Sequence, residues 1–133
     1  MLTIDLDSSV PLIEQLVRGL RRAIAEGKVT PGGELPSVRQ LAADLGVNLN
    51  TVARAYRNLE DSGLVRSARG RGTRVVANRE TTSEAPATVE RRLLASVRNM
   101  LTDAKLAGMT QRRVHRAIQR EVDRLWPNHG ATQ

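Results

Sequence analysis

Apolar residues recur at intervals of three and four near the start of the chain. Leu12, Ile13, Leu16, Val17, Leu20, Ala23 and Ile24 are interleaved with Glu14, Arg18, Arg21 and Arg22, the period of a helix with one apolar face. Pro11 opens this run and Gly27 lies just past its end, the usual punctuation of a helix. After a turn at Thr30-Pro31-Gly32-Gly33, the segment Leu35-Pro36-Ser37 leads into a second short helix with Val38, Leu41, Ala42 and Leu45 on one face. Gly46 supplies the positive-φ residue that ends such a helix. Only Val47 separates it from Asn48, an N-cap residue for a third helix whose inner face is Val52, Tyr56 and Leu59. Two short helices joined by so tight a turn predict a helix-turn-helix.

The helical period then stops. Leu64-Val65 and Thr73 to Val76 read as two short strands, and the Gly- and Arg-rich stretch Ser67 to Gly72 between them reads as a hairpin loop, or wing. Asn78 to Thr88 is polar, contains Pro86 and shows no apolar period, which predicts a linker. Beyond it, Val89, Leu93, Val97, Met100, Leu101 and Ala104 mark one helix closed by Gly108, and Thr110 caps another carrying Val114, Ile118, Val122 and Leu125. These stripes are too extensive for two helices of this length to bury alone. The residues expected to pair with a second copy of the chain are therefore Leu93, Val97, Met100, Leu101, Val114, Ile118, Val122 and Leu125.

The expected architecture is mainly α with a small β-hairpin: a winged helix-turn-helix domain over 1–78, a linker over 79–88, a two-helix dimerisation hairpin over 89–126 and a flexible C-terminus over 127–133. Composition narrows the chemistry. The formal net charge is +7, and Arg greatly outnumbers Lys, which suits forked contacts to phosphates and guanine edges. Cys is absent, so disulfides, thiol nucleophiles and thiolate metal sites are excluded. His115 and His129 lack the paired spacing of a metal site. No cofactor and no enzymatic activity are expected. No apolar run is long enough to span a bilayer and the N-terminus has no secretory pattern, so a cytoplasmic location without membrane contact is expected.

The ordered segments together resemble the GntR family of bacterial regulators. Pro11-Leu12-Ile13-Glu14-Gln15-Leu16 is similar to the family's opening helix, and Leu35-Pro36-Ser37-Val38-Arg39-Gln40-Leu41-Ala42 to its entry into the second helix. Gly46-Val47-Asn48-Leu49-Asn50-Thr51-Val52 resembles its turn and recognition helix; Tyr56-Arg57-Asn58-Leu59-Glu60, Gly63-Leu64-Val65 and Gly70-Arg71-Gly72-Thr73 follow in order. The short tail resembles the YtrA subgroup, whose members lack a large effector-binding domain. The resemblance implies binding of double-stranded DNA by a homodimer at an inverted-repeat operator, with repression as the usual outcome.

It also implies where DNA is met. Asn50 and Thr51 lie at the recognition helix's N-terminus, and Asn can pair with adenine in a bidentate way. Asn48 is placed chiefly to cap that helix and then to touch phosphate. Leu49 either meets a thymine methyl or is simply an exposed apolar residue. Arg39 stands where the resemblance puts a DNA-contacting Arg, the alternative being a surface pair with Asp44. Of Arg54 and Arg57, one can reach phosphate while the other pairs within the helix, Arg57 with Asp61 being the obvious couple. In the wing, Arg69, Gly70, Arg71 and Thr73, with Arg74 beside them, can lie against a sugar-phosphate wall, and an Arg at such a tip can enter the minor groove. Arg113, Arg116, Arg120 and Arg124 line one side of the last helix and read first as a solvated face. The competing reading is an architectural protein that binds DNA non-specifically through its charge. Operator, target genes and any small-molecule effector are not written in these residues.

Overall fold

In a computed structural model, residues 2–76 and 84–127 are described. The chain divides into two compact units, one over Met1–Ser83 and one over Glu84–Gln133. Residues 77–83, which hold part of the expected linker, and residues 128–133, expected as a flexible end, lie outside the described residues.

The first unit is built on three helices. Helix α1 (Leu12–Ala25) buries Leu16, Leu20 and Ala23, the inner face set by its period. Helix α2 (Val38–Leu45) starts at Ser37, whose hydroxyl accepts from the Gln40 N–H at 3.0 Å. It ends at Gly46, whose φ of 68° is strained for any residue with a Cβ. That sharp reversal lets helix α3 (Leu49–Asp61) begin within three residues and cross α2. Leu16, Leu20, Val52 and Leu59 have no exposed surface, and they join α1 and α3 in one core with Leu35, Leu41, Tyr56, Val65 and Val75. Truncating a side chain so enclosed, such as Leu59, costs about 2–5 kcal/mol.

The N-terminal residues are fastened to this core. Gln15 acts as a two-way clasp: its Oε1 accepts from the Asp5 N–H at 2.8 Å, and its Nε2 donates to the Asp5 and Val10 carbonyls, each at 2.9 Å. Leu2 and Ile4 pack on the core, and the Leu2 side chain occupies the space a Cβ on Gly19 would need.

Strands β1 (Val65–Ala68) and β2 (Gly72–Val75) pair antiparallel, Val65 opposite Val75 and Ser67 opposite Thr73. The ladder runs further out than the sequence predicts, because the Ser67 and Thr73 hydroxyls bond across it at 3.1 Å. Ser67, Ala68 and Gly72 therefore belong to strands, and the loop is only Arg69-Gly70-Arg71. The segment after the Thr30–Gly33 turn also lies along β2: the Leu35 N–H donates to the Thr73 carbonyl and the Val75 N–H to the Gly33 carbonyl, both at 2.8 Å.

The second unit is two helices, α4 (Pro86–Leu106) and α5 (Gln111–Leu125). Helix α4 starts three residues sooner than the expected Val89. Pro86 has the φ the first turn requires and lacks the N–H that would go unbonded there, so the stretch that reads as linker is already helical at 86–88. Helix α5 begins at Thr110, whose hydroxyl accepts from the Arg113 N–H at 3.2 Å. Neither helix buries a single side chain.

Candidate nucleic-acid interface

With Val52, Ala55, Tyr56 and Leu59 turned into the core, the opposite side of α3 is forced outward. Asn50, Arg54 and Arg57 follow one another there at i, i+4 and i+7, all exposed, forming one polar ridge. Thr51 is half-buried at its edge and Leu49 is exposed at the helix start. Asn48 is also exposed, but its Oδ1 accepts from the Asn50 N–H at 2.7 Å, so its carbonyl is committed to capping and only its amide NH2 remains for another partner.

Two pairings considered from the sequence do not form. Asp44 accepts from Gln40 Nε2 at 2.7 Å instead of meeting Arg39. Arg57 has no ion pair with Asp61; among the described residues the ion pairs are Glu14–Arg18, Glu26–Lys28, Glu84–Arg92 and Glu121–Arg124. An exposed i,i+4 pair contributes only a few tenths of a kcal/mol against the rotamer freedom of a long side chain. Arg39, Arg54 and Arg57 thus present unneutralised guanidinium groups on one helix-turn-helix.

The third helix is held at both ends. The Tyr56 hydroxyl donates to the Pro36 carbonyl at 2.6 Å, tying α3 to the Leu35-Pro36-Ser37 lead-in of α2. Burial pushes this phenol up to about 12. At the far end, Glu60 Oε2 accepts from the Ser67 N–H at 3.1 Å, which fixes the hairpin relative to the recognition helix. Arg69, Gly70 and Arg71 are exposed at the wing tip, and Thr73 is half-buried through its bond with Ser67.

The wing holds three features that sequence reasoning missed. Arg74 is not free: its Nη1 donates to the Gly32 carbonyl at 3.2 Å. Arg66 stands directly opposite Arg74 in the ladder. Like charges placed so are unfavourable unless an anion lies between or beside them, and the strand alternation that puts Val65 inside was the available signal for placing Arg66 outside. The Glu34 carboxylate lies over Gly72, its Oε1 only 2.6 Å from where a Cβ would stand, and Gly72 has a φ of 73°.

In the second unit, the residues expected to pair with another copy all lie on surface. Leu93, Met100, Leu101, Ile118 and Val122 are exposed, while Val97, Val114 and Leu125 are half-buried. Leu94, Leu106 and Trp126 are exposed as well.

A recognition helix with an exposed polar ridge, a second helix presenting an unpaired Arg and a basic two-stranded wing define a winged helix-turn-helix DNA-binding protein. The model of the bacterial regulatory proteins of the gntR family matches residues 12–75. The chain is 37% identical over 120 residues to the HTH-type transcriptional repressor YtrA of Bacillus subtilis, covering 90% of this chain and 90% of that protein. Among solved structures, YtrA from Sulfolobus acidocaldarius, a GntR-family transcription factor, superposes with a TM-score of 0.57 at 34% identity, over 72% of this chain and 95% of that one. The AraR(DBD) in complex with operator ORX1 superposes with a TM-score of 0.53 at 26% identity, over 56% of this chain and 96% of that one. The chain belongs to the GntR family, in its YtrA-like subgroup. It is a DNA-binding transcriptional regulator and not an enzyme.

Proposed function

We propose that the protein is a sequence-specific repressor that binds an inverted-repeat operator in the cytoplasm as a homodimer. The observation that carries this reading is the set of exposed side chains on the helix-turn-helix, Arg39, Arg54 and Arg57 without ion pairs among the described residues and the amide of Asn50. Helix α3 enters the major groove with Asn50 and Thr51 at base edges, Asn48 and Arg39 at phosphates, and Arg54 or Arg57 further along the backbone. Leu49, at the entering end, is the apolar group within reach of a thymine methyl. The wing lays Arg69, Gly70, Arg71 and Thr73 on the adjacent sugar-phosphate wall. Repression is carried over from the similar YtrA of Bacillus subtilis.

Pairing of the tails supplies the second half-site reader. The stripes of α4 and α5 are only partly covered within the unit, and self-complementary burial by a two-fold partner is the common solution for exposed apolar surface of this extent. Arg39→Ala and Asn50→Ala are expected to cost about 1–3 kcal/mol of specific binding each with thermal unfolding unchanged. Leu93→Glu with Ile118→Glu is expected to halve the mass in light scattering. Parental footprints from the first two variants would sink the docking, and a parental mass from the last would remove the tail from the interface.

A further inference from the structure

The positive charge of this protein is not concentrated where the DNA-reading fold is. Residues 1–83 carry twelve Lys and Arg against nine Asp and Glu, a net +3, whereas the shorter segment 84–133 carries nine against five, a net +4. Helix α5 alone holds Arg112, Arg113, Arg116, Arg120 and Arg124 against Glu121 and Asp123.

These side chains are sorted by face. Val114, Ile118, Val122 and Leu125 recur on one side of α5, while Arg113, Arg116, Arg120 and Arg124 recur at three- and four-residue steps on another. At 100° per residue the two stripes lie well apart around the helix, so covering the apolar one leaves the basic one open. The acidic residues neutralise only its C-terminal end. Glu121 pairs with Arg124 at 3.3 Å, and Asp123 accepts from Gln119 Nε2 at 2.8 Å. Arg113, Arg116 and Arg120 are exposed and have no ion pair among the described residues.

We propose that this Arg stripe is a second DNA-binding surface, one that grips the phosphate backbone of duplex DNA independently of the winged head. From Arg113 to Arg120 the unpaired stripe rises about 10 Å, a length over which a duplex presents roughly six phosphate charges. Arg spaced about 5–6 Å apart along a rigid helix matches a line of phosphates and lacks the base-edge geometry needed for sequence readout. The stripe therefore adds affinity and salt dependence without specificity. It goes beyond the role of the head and does not require that role to be right.

The test uses the full-length protein and a 60-base-pair duplex of mixed sequence, with affinity followed by fluorescence anisotropy from 50 to 200 mM NaCl. Three variants are compared: R113Q/R116Q/R120Q, R113K/R116K/R120K, and the wing variant R69A/R71A. Each neutralised phosphate contributes about 0.9 to the slope of log affinity against log salt. The glutamine variant is expected to lower the slope by about 2.7 per chain, so that its loss of affinity across that salt range is roughly 40-fold smaller than the parent's. The lysine variant, which keeps the charge, is expected to retain the parental slope. A parental slope in the glutamine variant overturns the proposal and assigns the stripe to another anionic partner. Equal losses in the lysine and glutamine variants overturn it as well, since charge is then not the cause. The wing variant separates the two readings: a parental slope there, beside a lowered one in the glutamine variant, refutes the wing contact and leaves the tail surface standing.

Discussion

Asn48 lies at the point where the stability of the recognition helix and its contact with DNA meet, and three substitutions separate the two. Its Oδ1 accepts from the Asn50 N–H at 2.7 Å, so Asn48→Ala removes a helix cap worth about 1 kcal/mol. For a unit of this size that lowers Tm by roughly 4–8 °C. Asn48→Ser keeps an uncharged acceptor and is expected to stay near the parent in stability, while loss of the amide NH2 placed at phosphate weakens binding modestly. Asn48→Asp keeps the acceptor and adds a negative charge at the positive end of the helix, a gain of about 0.3–1 kcal/mol, so it is expected to be at least as stable as the parent. Its binding behaves oppositely. A carboxylate about 5 Å from a phosphate costs roughly 3 kcal/mol at an effective dielectric of 20 and below about 1 in bulk water, which brackets the loss between a few-fold and a hundredfold. The assays are thermal unfolding by circular dichroism and anisotropy against a duplex that the parent has selected from a random pool. The decisive result is the aspartate variant: parental affinity there refutes the placement of this helix end at the backbone, whatever the alanine variant does to Tm.

Two further outcomes follow from the packing of the first unit. The Tyr56 phenol is raised from 10.0 to about 12 by burial, so the folded state holds its proton longer than the unfolded chain does; this contribution is intact below pH 10 and is lost as pH rises from 10 to 12. Urea titrations of Tyr56→Phe should show a cost of about 1 kcal/mol at pH 7 from the lost bond to Pro36 and a shallower decline across that alkaline window; an unchanged decline would assign it to other groups. Gly19→Ala should change sign with its background: destabilising in the parent, because Leu2 must leave the space the new Cβ enters, and stabilising by about 1 kcal/mol in Leu2→Ala, where only the helix preference of Ala remains. The same sign in both backgrounds would show that Leu2 is not seated on Gly19.

What the sequence makes legible is what local chemistry decides. The three-four period from Leu12 to Ile24, the Ser37 and Asn48 caps and the Gly46 reversal each have a cause within a few residues, and each helix of the first unit lies where that cause puts it. The exposure of Asn50, Arg54 and Arg57 follows from the same period. What escaped depends on residues far apart or on weak competitions. The pairing of Gly33 and Leu35 with β2 joins positions some forty residues apart in a stretch without strand composition. The Leu2–Gly19 contact is invisible because a glycine within a helix reads as a defect until its neighbour is known. Arg57 and Asp61 have the spacing of a pair but not the energy to hold one. Pro86 reads as a breaker in a polar stretch, yet a proline is as compatible with starting a helix as with excluding one.

The two units differ in a way that bears on how the protein is assembled. The first closes on itself, with fully enclosed leucines from α1 and α3 and both strands anchored to them. The second has no buried side chain among its described residues. Helices of its length, 21 and 15 residues, are marginal in water without a packed face, and within the unit Leu93, Met100 and Ile118 stay exposed while Val97, Val114 and Leu125 are only half-buried. Under the proposed pairing, the tail helices form as their stripes are covered, so their stability depends on protein concentration while that of the head does not. Duplex DNA then acts on the same equilibrium twice. An inverted repeat holds two heads close together and raises the effective concentration of their tails. Phosphates lying along the basic face of α5 lower the repulsion between paired tails. Folding of the tail, pairing of the chains and occupancy of the operator become one coupled step, in which a chain bound at a single half-site gains little of the stability that a pair obtains.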